Sequence, residues 1–324
     1  MSLMAWLLSL FLRSGQKRIR RIRNPVFLRR GMELSGRLTA IMPLWVRRED
    51  IRVAGMPVRV LHNRRTSARP GHVLFYLHGG GFVAGSPDTH QAFVARLMIA
   101  GGFASAWLPD YRLAPEHAFP AAIEDALAAW QAVSAHQDSK HIHIGGESAG
   151  GNLALLLCQH IRDRGLRRPE RAYLLSPWLD LGLASEDPGP DFREDLMIGR
   201  DPVSARAWVR EVFAGAYAPG QRLDNPALSP VYGRLDDLPP LLVQAGSNEI
   251  FAADCLLLRR LGETAGADIH LEIWKGMPHA FAFFGPWLPE ANAATRRAGT
   301  WLAQAEAAPA QRFQHLISDT GSAS

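Results

Sequence analysis

An α/β fold built on a mostly parallel, eight-stranded sheet with helices on both faces is predicted by three observations. Apolar strand-like runs alternate with helical periodicity along most of the 324 residues. Residues 140–164 pass from a short strand, through a sharp turn at Ser148, into a helix of small and apolar residues. Four unusual loops each follow an apolar strand: HGGGF at 78–82, GESAG at 146–150, SNE at 247–249 and MPH at 277–279. The carboxyl ends of parallel strands share one edge, so four independent features converge there.

Taken in order, residues 2–12 are apolar and 13–30 strongly basic. The apolar run is too short to span a bilayer. Its charges follow instead of precede it, which does not suit a secretory signal. It reads either as a helix laying its Leu and Trp face over the body, or as an interfacial helix whose polybasic flank touches an anionic membrane. Residues 31–46 suggest a second short helix ending near Pro43. Residues 51–62 read as a hairpin around Gly55. Residues 73–77 form a buried strand, and Ser86-Pro87 opens the helix that follows HGGGF. Residues 104–108 are the next strand, and Ile123, Leu127, Trp130 and Val133 mark an amphipathic helix. After the Ser148 turn come a strand at 171–176, a polar insert at 182–225 with a short helix at 203–213, and strands at 241–245 and 269–274. A helix at 250–261 separates those two strands, and a last helix starts at Pro289. An insert of that length is expected to form a cap. The organisation is thus an N-terminal arm (1–48), core (49–181), cap insert (182–225), core (226–308) and a polar tail (309–324).

Composition narrows the function classes. Hydrophobic residues make up 47% and charged residues 21%, as in a globular protein with a sizeable core. The arm carries eleven Lys or Arg against one acid, a balance of +10, and the remainder is −5. The body lacks a basic stripe interleaved with aromatics, which argues against nucleic-acid binding. Cys158 and Cys255 sit in apolar helical patterns with no metal-type spacing. They read as buried free thiols in a reducing, cytoplasmic compartment.

A serine hydroxyl needs a base, and the base needs an orienting carboxylate. Ser148 in a G-x-S-x-G turn is the candidate nucleophile, its backbone strained and its Oγ lifted clear. His279, after the last strand, is the candidate base. His136, His141 and His143 precede the turn, and His270 lies inside a strand. Glu249 is the candidate acid, with Asp254 as the fallback. The glycines Gly79, Gly80 and Gly81 allow close approach to a developing oxyanion. Gly80, Gly81 and Ala149 are the expected N–H donors, with Gly79 and His78 shaping the loop. Phe82, Trp178, Phe213 and Phe283 are candidate pocket walls.

HGGGF at 78–82, YRLAPEHAFPAAIEDA at 111–126, GESAGGN at 146–152 and GMPHAF at 276–281 together resemble the hormone-sensitive-lipase-like family of α/β-hydrolases, bacterial carboxylesterase branch, over residues 50–305. The resemblance implies a serine esterase with an N-terminal and insert-built cap, acting on acyl esters without metal or cofactor. It implies the same roles for Ser148, His279, Glu249, Gly80, Gly81 and Ala149, and structural props under the turn at Asp110, Arg112 and Glu116. One departure stands out: many relatives have Asp followed by Pro-Leu where this chain has Glu249-Ile250. The expected partner is a small-molecule ester of short to medium acyl chain. Lactone hydrolysis and deacetylation are alternatives on the same site, and a non-catalytic receptor or a membrane-associated lipid-handling protein are alternatives of another class. A homodimer is left open, because pattern alone does not distinguish a dimer surface.

Overall fold

In the computed structural model, which describes residues 1–39, 41–185, 194–199 and 201–304, the apolar runs assemble into one sheet. Its eight strands among the described residues are β1 (Val46–Val53), β2 (Met56–Asn63), β3 (Arg69–Leu77), β4 (Phe103–Pro109), β5 (His141–Glu147), β6 (Ala172–Leu175), β7 (Leu241–Gly246) and β8 (Ile269–Trp274). They lie in the order β1-β2-β4-β3-β5-β6-β7-β8. The β1–β2 and β2–β4 pairs are antiparallel, and every later pair is parallel. The helices are α1 (Leu3–Ile19), α2 (Pro25–Thr39), α3 (Pro87–Ala100), α4 (Ala121–Ala135), α5 (Ala149–Asp163), α6 (Pro202–Val209), α7 (Gly215–Tyr217), α8 (Ala252–Ala265) and α9 (Pro289–Ala303). A π-helical turn, Arg210–Ala214, joins α6 to α7.

Successive side chains of a strand point to opposite faces, and this sorts the core into two layers. Val73, Phe75 and Leu77 pack with α4, α5 and α8 on one face. Leu74, Tyr76, Tyr173, Leu175 and Leu242 pack with α3 and α9 on the other. Both faces being covered, the central strands carry apolar residues without a polar alternation. That burial holds the strands in register, so the loops at their carboxyl ends meet along one edge.

Two boundaries move relative to the sequence reading. The second helix begins at Pro25, because the Asn24 side chain accepts the N–H groups of Val26 and Phe27, at 2.9 and 3.3 Å, and Pro25 supplies a helical φ. The hairpin starts at Val46, where the chain leaves a turn closed by Val46 N–H donating to Pro43 O.

The arm departs further from expectation. α1 turns Ala5 and Ser9 towards the body, 3% and 4% exposed, and leaves Leu3, Trp6, Leu7, Leu10 and Phe11 facing outward. Its Leu and Trp face is therefore not laid over the body. Polar anchors set this orientation. Ser2 donates through N–H and Oγ–H to Glu290, Gln16 Nε2 donates to the carbonyls of Asp195 and Leu196, and Arg13 pairs with Glu194. Beyond α1 the arm meets the insert, where Trp208 Nε1–H donates to Ile22 O. It also meets the loops after β3 and β4, where Arg29 donates to Val83 O and Ala114 O and pairs with Glu116. Residues 186–193 and 200 of the insert, and the tail expected at 309–324, lie outside the described residues. No helix among the described residues is long and apolar enough to cross a membrane.

Candidate active site

Ser148 stands between β5 and α5 with φ +55° and ψ −122°, outside the regions an ordinary residue occupies. Two main-chain bonds hold it there: Ser148 N–H donates to Leu175 O, and Trp178 N–H donates to Ser148 O. The turn closes because the flanking positions carry no Cβ. A Cβ on Gly146 would strike the Gly150 carbonyl, and one on Gly150 would strike the carbonyls of Leu77 and His78. The second contact also brings the start of α5 against the end of β3, so the N–H of Ala149 and the glycine loop share one corner.

In that loop Gly80 has φ +115° and Gly81 φ +63°. A Cβ on Gly79 would run into Glu147 Oε1, and one on Gly81 into the ring of Phe213. The N–H groups of Gly80, Gly81 and Ala149 donate to no acceptor among the described residues. Tyr111 braces the loop from below by donating its hydroxyl to His78 O at 2.5 Å and stacking on the His78 ring at 4.1 Å. Burial, with the nearby His90 adding to it, pushes His78 down to about 3, so this imidazole is neutral at physiological pH.

Glu249 is completely buried after β7. Its Oε1 accepts Gly246 N–H at 2.6 Å and Ser176 Oγ–H at 2.7 Å, and its Oε2 lies 2.6 Å from His279 Nδ1. An ionised carboxylate only accepts, so this contact puts the proton on Nδ1 and leaves Nε2 with the lone pair when the ring is neutral. Burial lowers the His279 pKa, but the hydrogen bond and charge of Glu249, helped by Asp195 and Glu147, outweigh it. The net shift is upward from 6.5. Among the described residues no hydrogen bond joins the Ser148 hydroxyl to the imidazole. The two are connected through packing: the His279 ring lies 4.9 Å from Phe251, which lies 5.6 Å from Trp178, whose N–H holds Ser148 O. Such bonds are often long before substrate arrives.

The expected residues are thus distributed as follows. Glu249 and His279 are in contact, and Ser148 and the glycine loop occupy the same sheet edge. Phe82 stacks on Tyr217 at 3.8 Å with Trp178 beside it at 6.1 Å, and Phe213 covers Gly81. Phe283 goes elsewhere: it stacks on Phe93 at 4.4 Å and meets His90 edge-on, in the layer formed with α3. Asp254, the fallback acid, is buried in α8 and accepts the N–H groups of Leu179 and Asp180 and the Ser185 hydroxyl. Burial drives its pKa up to about 7 against those hydrogen bonds, and it anchors the chain after β6. Arg112 and Glu116 do not support the turn either: Arg112 pairs with Asp125 of α4, and Glu116 with Arg29 of the arm. Asp110 is half-buried at the end of β4, its N–H donating to Pro57 O.

Three groups had escaped sequence reasoning. Ser176, after β6, donates to Glu249 and accepts Ala280 N–H at 3.0 Å, so it positions the acid and the His279 loop together. Asp195 accepts Ile250 N–H at 3.0 Å and adds negative charge near His279. Glu147, inside the Ser148 motif, binds His90 Nε2 at 2.9 Å and accepts the Tyr76 hydroxyl at 3.2 Å. Ser176 could have been found, since it also follows an apolar strand at the functional edge. Asp195 lies in a polar insert with no periodic signal.

No group of three or more His, Cys, Asp or Glu among the described residues is arranged to hold a metal ion. A cavity of about 400 Å³ lies at the opposite end of the sheet, between Glu49, His62, Trp107 and His136, and touches none of these loops. Another of about 340 Å³ lies beneath α1, against Ser247, Asn248 and Gly276.

Most of the chain is similar to known proteins. A family model described as alpha/beta hydrolase fold matches residues 74–283. An acetyl-hydrolase of Streptomyces hygroscopicus is 36% identical over 239 residues, covering 74% of this chain and 77% of that protein. The crystal structure of EstE5 soaked with p-nitrophenyl butyrate matches with a TM-score of 0.81 at 31% identity, over 94% of this chain and 98% of that one. An esterase from the bacterial hormone-sensitive lipase family matches equally well, with a TM-score of 0.81, 31% identity and the same 94% and 98% coverage. This chain belongs to the hormone-sensitive-lipase-like family of α/β-hydrolases and is a carboxylic ester hydrolase.

Proposed function

We propose that the protein hydrolyses short- to medium-chain acyl esters of small molecules through an acyl-enzyme on Ser148. The observation that carries this reading is the 2.6 Å contact between His279 Nδ1 and buried Glu249, at the edge where Ser148 is held in a strained turn. Glu249 fixes the tautomer, so Nε2 is free to take the Ser148 proton as Oγ attacks the ester carbonyl. The N–H groups of Gly80, Gly81 and Ala149 receive the oxyanion. His279 then gives the proton to the departing alcohol, and a water molecule repeats the sequence on the acyl-enzyme.

Phe82, Trp178 and Phe213 crowd the serine side of the site, which favours small acyl groups. The likeness to an acetyl-hydrolase, and to an esterase soaked with p-nitrophenyl butyrate, points the same way. A non-catalytic receptor on this scaffold would not need the Glu249–His279 contact. The test is hydrolysis of p-nitrophenyl esters of increasing chain length by wild type and Ser148→Ala. A maximum at short chains, lost in the variant, is expected. Turnover retained in Ser148→Ala would overturn the mechanism, and a maximum at long chains would overturn the substrate class.

A further inference from the structure

α1 is inverted relative to a helix that merely covers a core. Such a helix turns its large apolar residues inward. Here the inward positions are Ala5 and Ser9, while Leu3 and Phe11 are 72% and 74% exposed and Trp6, Leu7 and Leu10 between 43% and 48%. An exposed apolar helical face of this kind marks an interaction site. Further along the same helix the outward positions become basic: Lys17 and Arg18 are exposed in its last turn, and Arg21 just beyond it. None of these three enters an ion pair among the described residues, in contrast to Arg13 and Arg23, which pair with Glu194 and Glu211.

From this face and its charge we infer that the outer side of α1 docks on an anionic phospholipid surface, lying in the interface plane. Charge selects the occupant. The arm's balance of +10 repels a second copy of itself, while the −5 of the remaining chain is repelled by anionic lipid, so only the arm side is drawn to it. A 17-residue helix with an apolar stretch, an aromatic residue for the headgroup level and a basic end has the make-up of an interfacial helix. Its inner side holds the rim of the site, since Gln16 binds the Asp195 and Leu196 carbonyls and Asp195 accepts Ile250 N–H beside Glu249. Docking therefore brings that rim next to the bilayer. The binding itself does not depend on the catalytic reading.

The test is flotation of the full chain with vesicles of mixed phosphatidylcholine and phosphatidylglycerol, against pure phosphatidylcholine, at low and high salt. Wild type, Leu10→Ser/Phe11→Ser and Lys17→Glu/Arg18→Glu are compared. All four positions are exposed, so circular dichroism and hydrolysis of a water-soluble ester should match wild type. Wild type should float with the anionic vesicles, salt should weaken the binding, and each double variant should lose about tenfold or more in partitioning. Failure of wild type to float with anionic vesicles overturns the inference, as does flotation unchanged in both variants. Concentration-dependent dimerisation in sedimentation velocity, lost in Leu10→Ser/Phe11→Ser and unaccompanied by flotation, would assign the face to a second copy instead.

Discussion

Two carboxylate–histidine pairs flank Ser148, and they are nearly alike as chemistry. Glu249 meets His279 at 2.6 Å on the β7–β8 side, and Glu147 meets His90 at 2.9 Å on the α3 side. In both, burial pulls the imidazole pKa down and the neighbouring carboxylate more than restores it, leaving each histidine above 6.5. What separates them is access. His279 sits on a loop at the functional edge, 17% of its side chain exposed, whereas His90 lies within α3 beneath Phe283, its Nδ1 already engaged by Ser86 O and the Thr89 hydroxyl. A histidine and a carboxylate in contact therefore do not identify a catalytic base. The distinguishing feature is that His279 is held at Nδ1 alone on a partly exposed loop, whereas both nitrogens of His90 are engaged. The His90 pair does a different job: it fixes the residue before Ser148 and closes on Gly79, where no side chain would fit.

The sharpest way to break this contrast is to remove each histidine in turn. His279→Ala should lower kcat by roughly 10⁵- to 10⁶-fold even well below its unfolding transition, which should itself fall because buried Glu249 loses its imidazole partner. His90→Ala leaves Glu147 buried without its partner, so the loss should appear as destabilisation of about 3–5 kcal/mol in denaturant unfolding. Below the unfolding transition the His90→Ala kcat should stay within about tenfold of wild type. The contrast fails if His90→Ala matches His279→Ala in kcat at full stability.

Next in size is the acid. Glu249→Gln keeps the shape but no longer holds the proton on Nδ1, and should cost about 10⁴ in kcat. Asp254→Asn removes a carboxylate that anchors two main-chain N–H groups and the Ser185 hydroxyl. It should leave kcat within a few-fold and lower stability by about 1–3 kcal/mol. Steady-state kinetics on the two variants decide between the carboxylates, and a larger kcat loss in Asp254→Asn would reverse the assignment.

The smallest effect is on pH. In the proposed mechanism His279 must be neutral to accept the Ser148 proton, so activity should rise with pH through a midpoint above 6.5. In Glu249→Gln the residual activity should show that midpoint moved to lower pH, since only the weaker influence of Asp195 and Glu147 then opposes burial. Stability runs the other way. A histidine whose folded pKa is raised favours the fold fully below its unfolded value, and that contribution fades as pH rises through the folded pKa. Melting curves from pH 5 to 9 should show less of this decline in His90→Gln than in wild type. An activity midpoint at or below 6.5 in wild type would mean Glu249 does not raise the His279 pKa.

Much of the site was legible in the sequence because its parts are local. A strained serine turn demands glycines on either side within five residues, and an oxyanion loop demands a glycine run directly after a strand. Both leave a pattern in consecutive letters. His279 and Glu249 were readable for a related reason: each directly follows an apolar strand, and parallel strands bring such positions to one edge. Ser176 follows β6 at the same edge and was legible as a position but not in its pairing, and Asp195 and His90 left no local signal. The partners of these three lie 73, 55 and 57 positions away, and nothing in the local letters around them announces the pairing. Phe283 misled because an aromatic next to a motif can turn to either side of the chain, and here it turns into the α3 layer.

The sequence by itself determined the alternating strands and helices, the Ser148 turn and the glycine loop, because these rest on backbone conformation and side-chain period. Only the tertiary structure decided which histidine is the accessible one, which acid is in contact with it, and which way α1 turns its apolar face. Those outcomes depend on contacts between residues far apart in the chain. Each is set by which polar groups the packing brings within hydrogen-bond reach: Ser176 with Glu249, Glu147 with His90, and Gln16 with the carbonyls of Asp195 and Leu196.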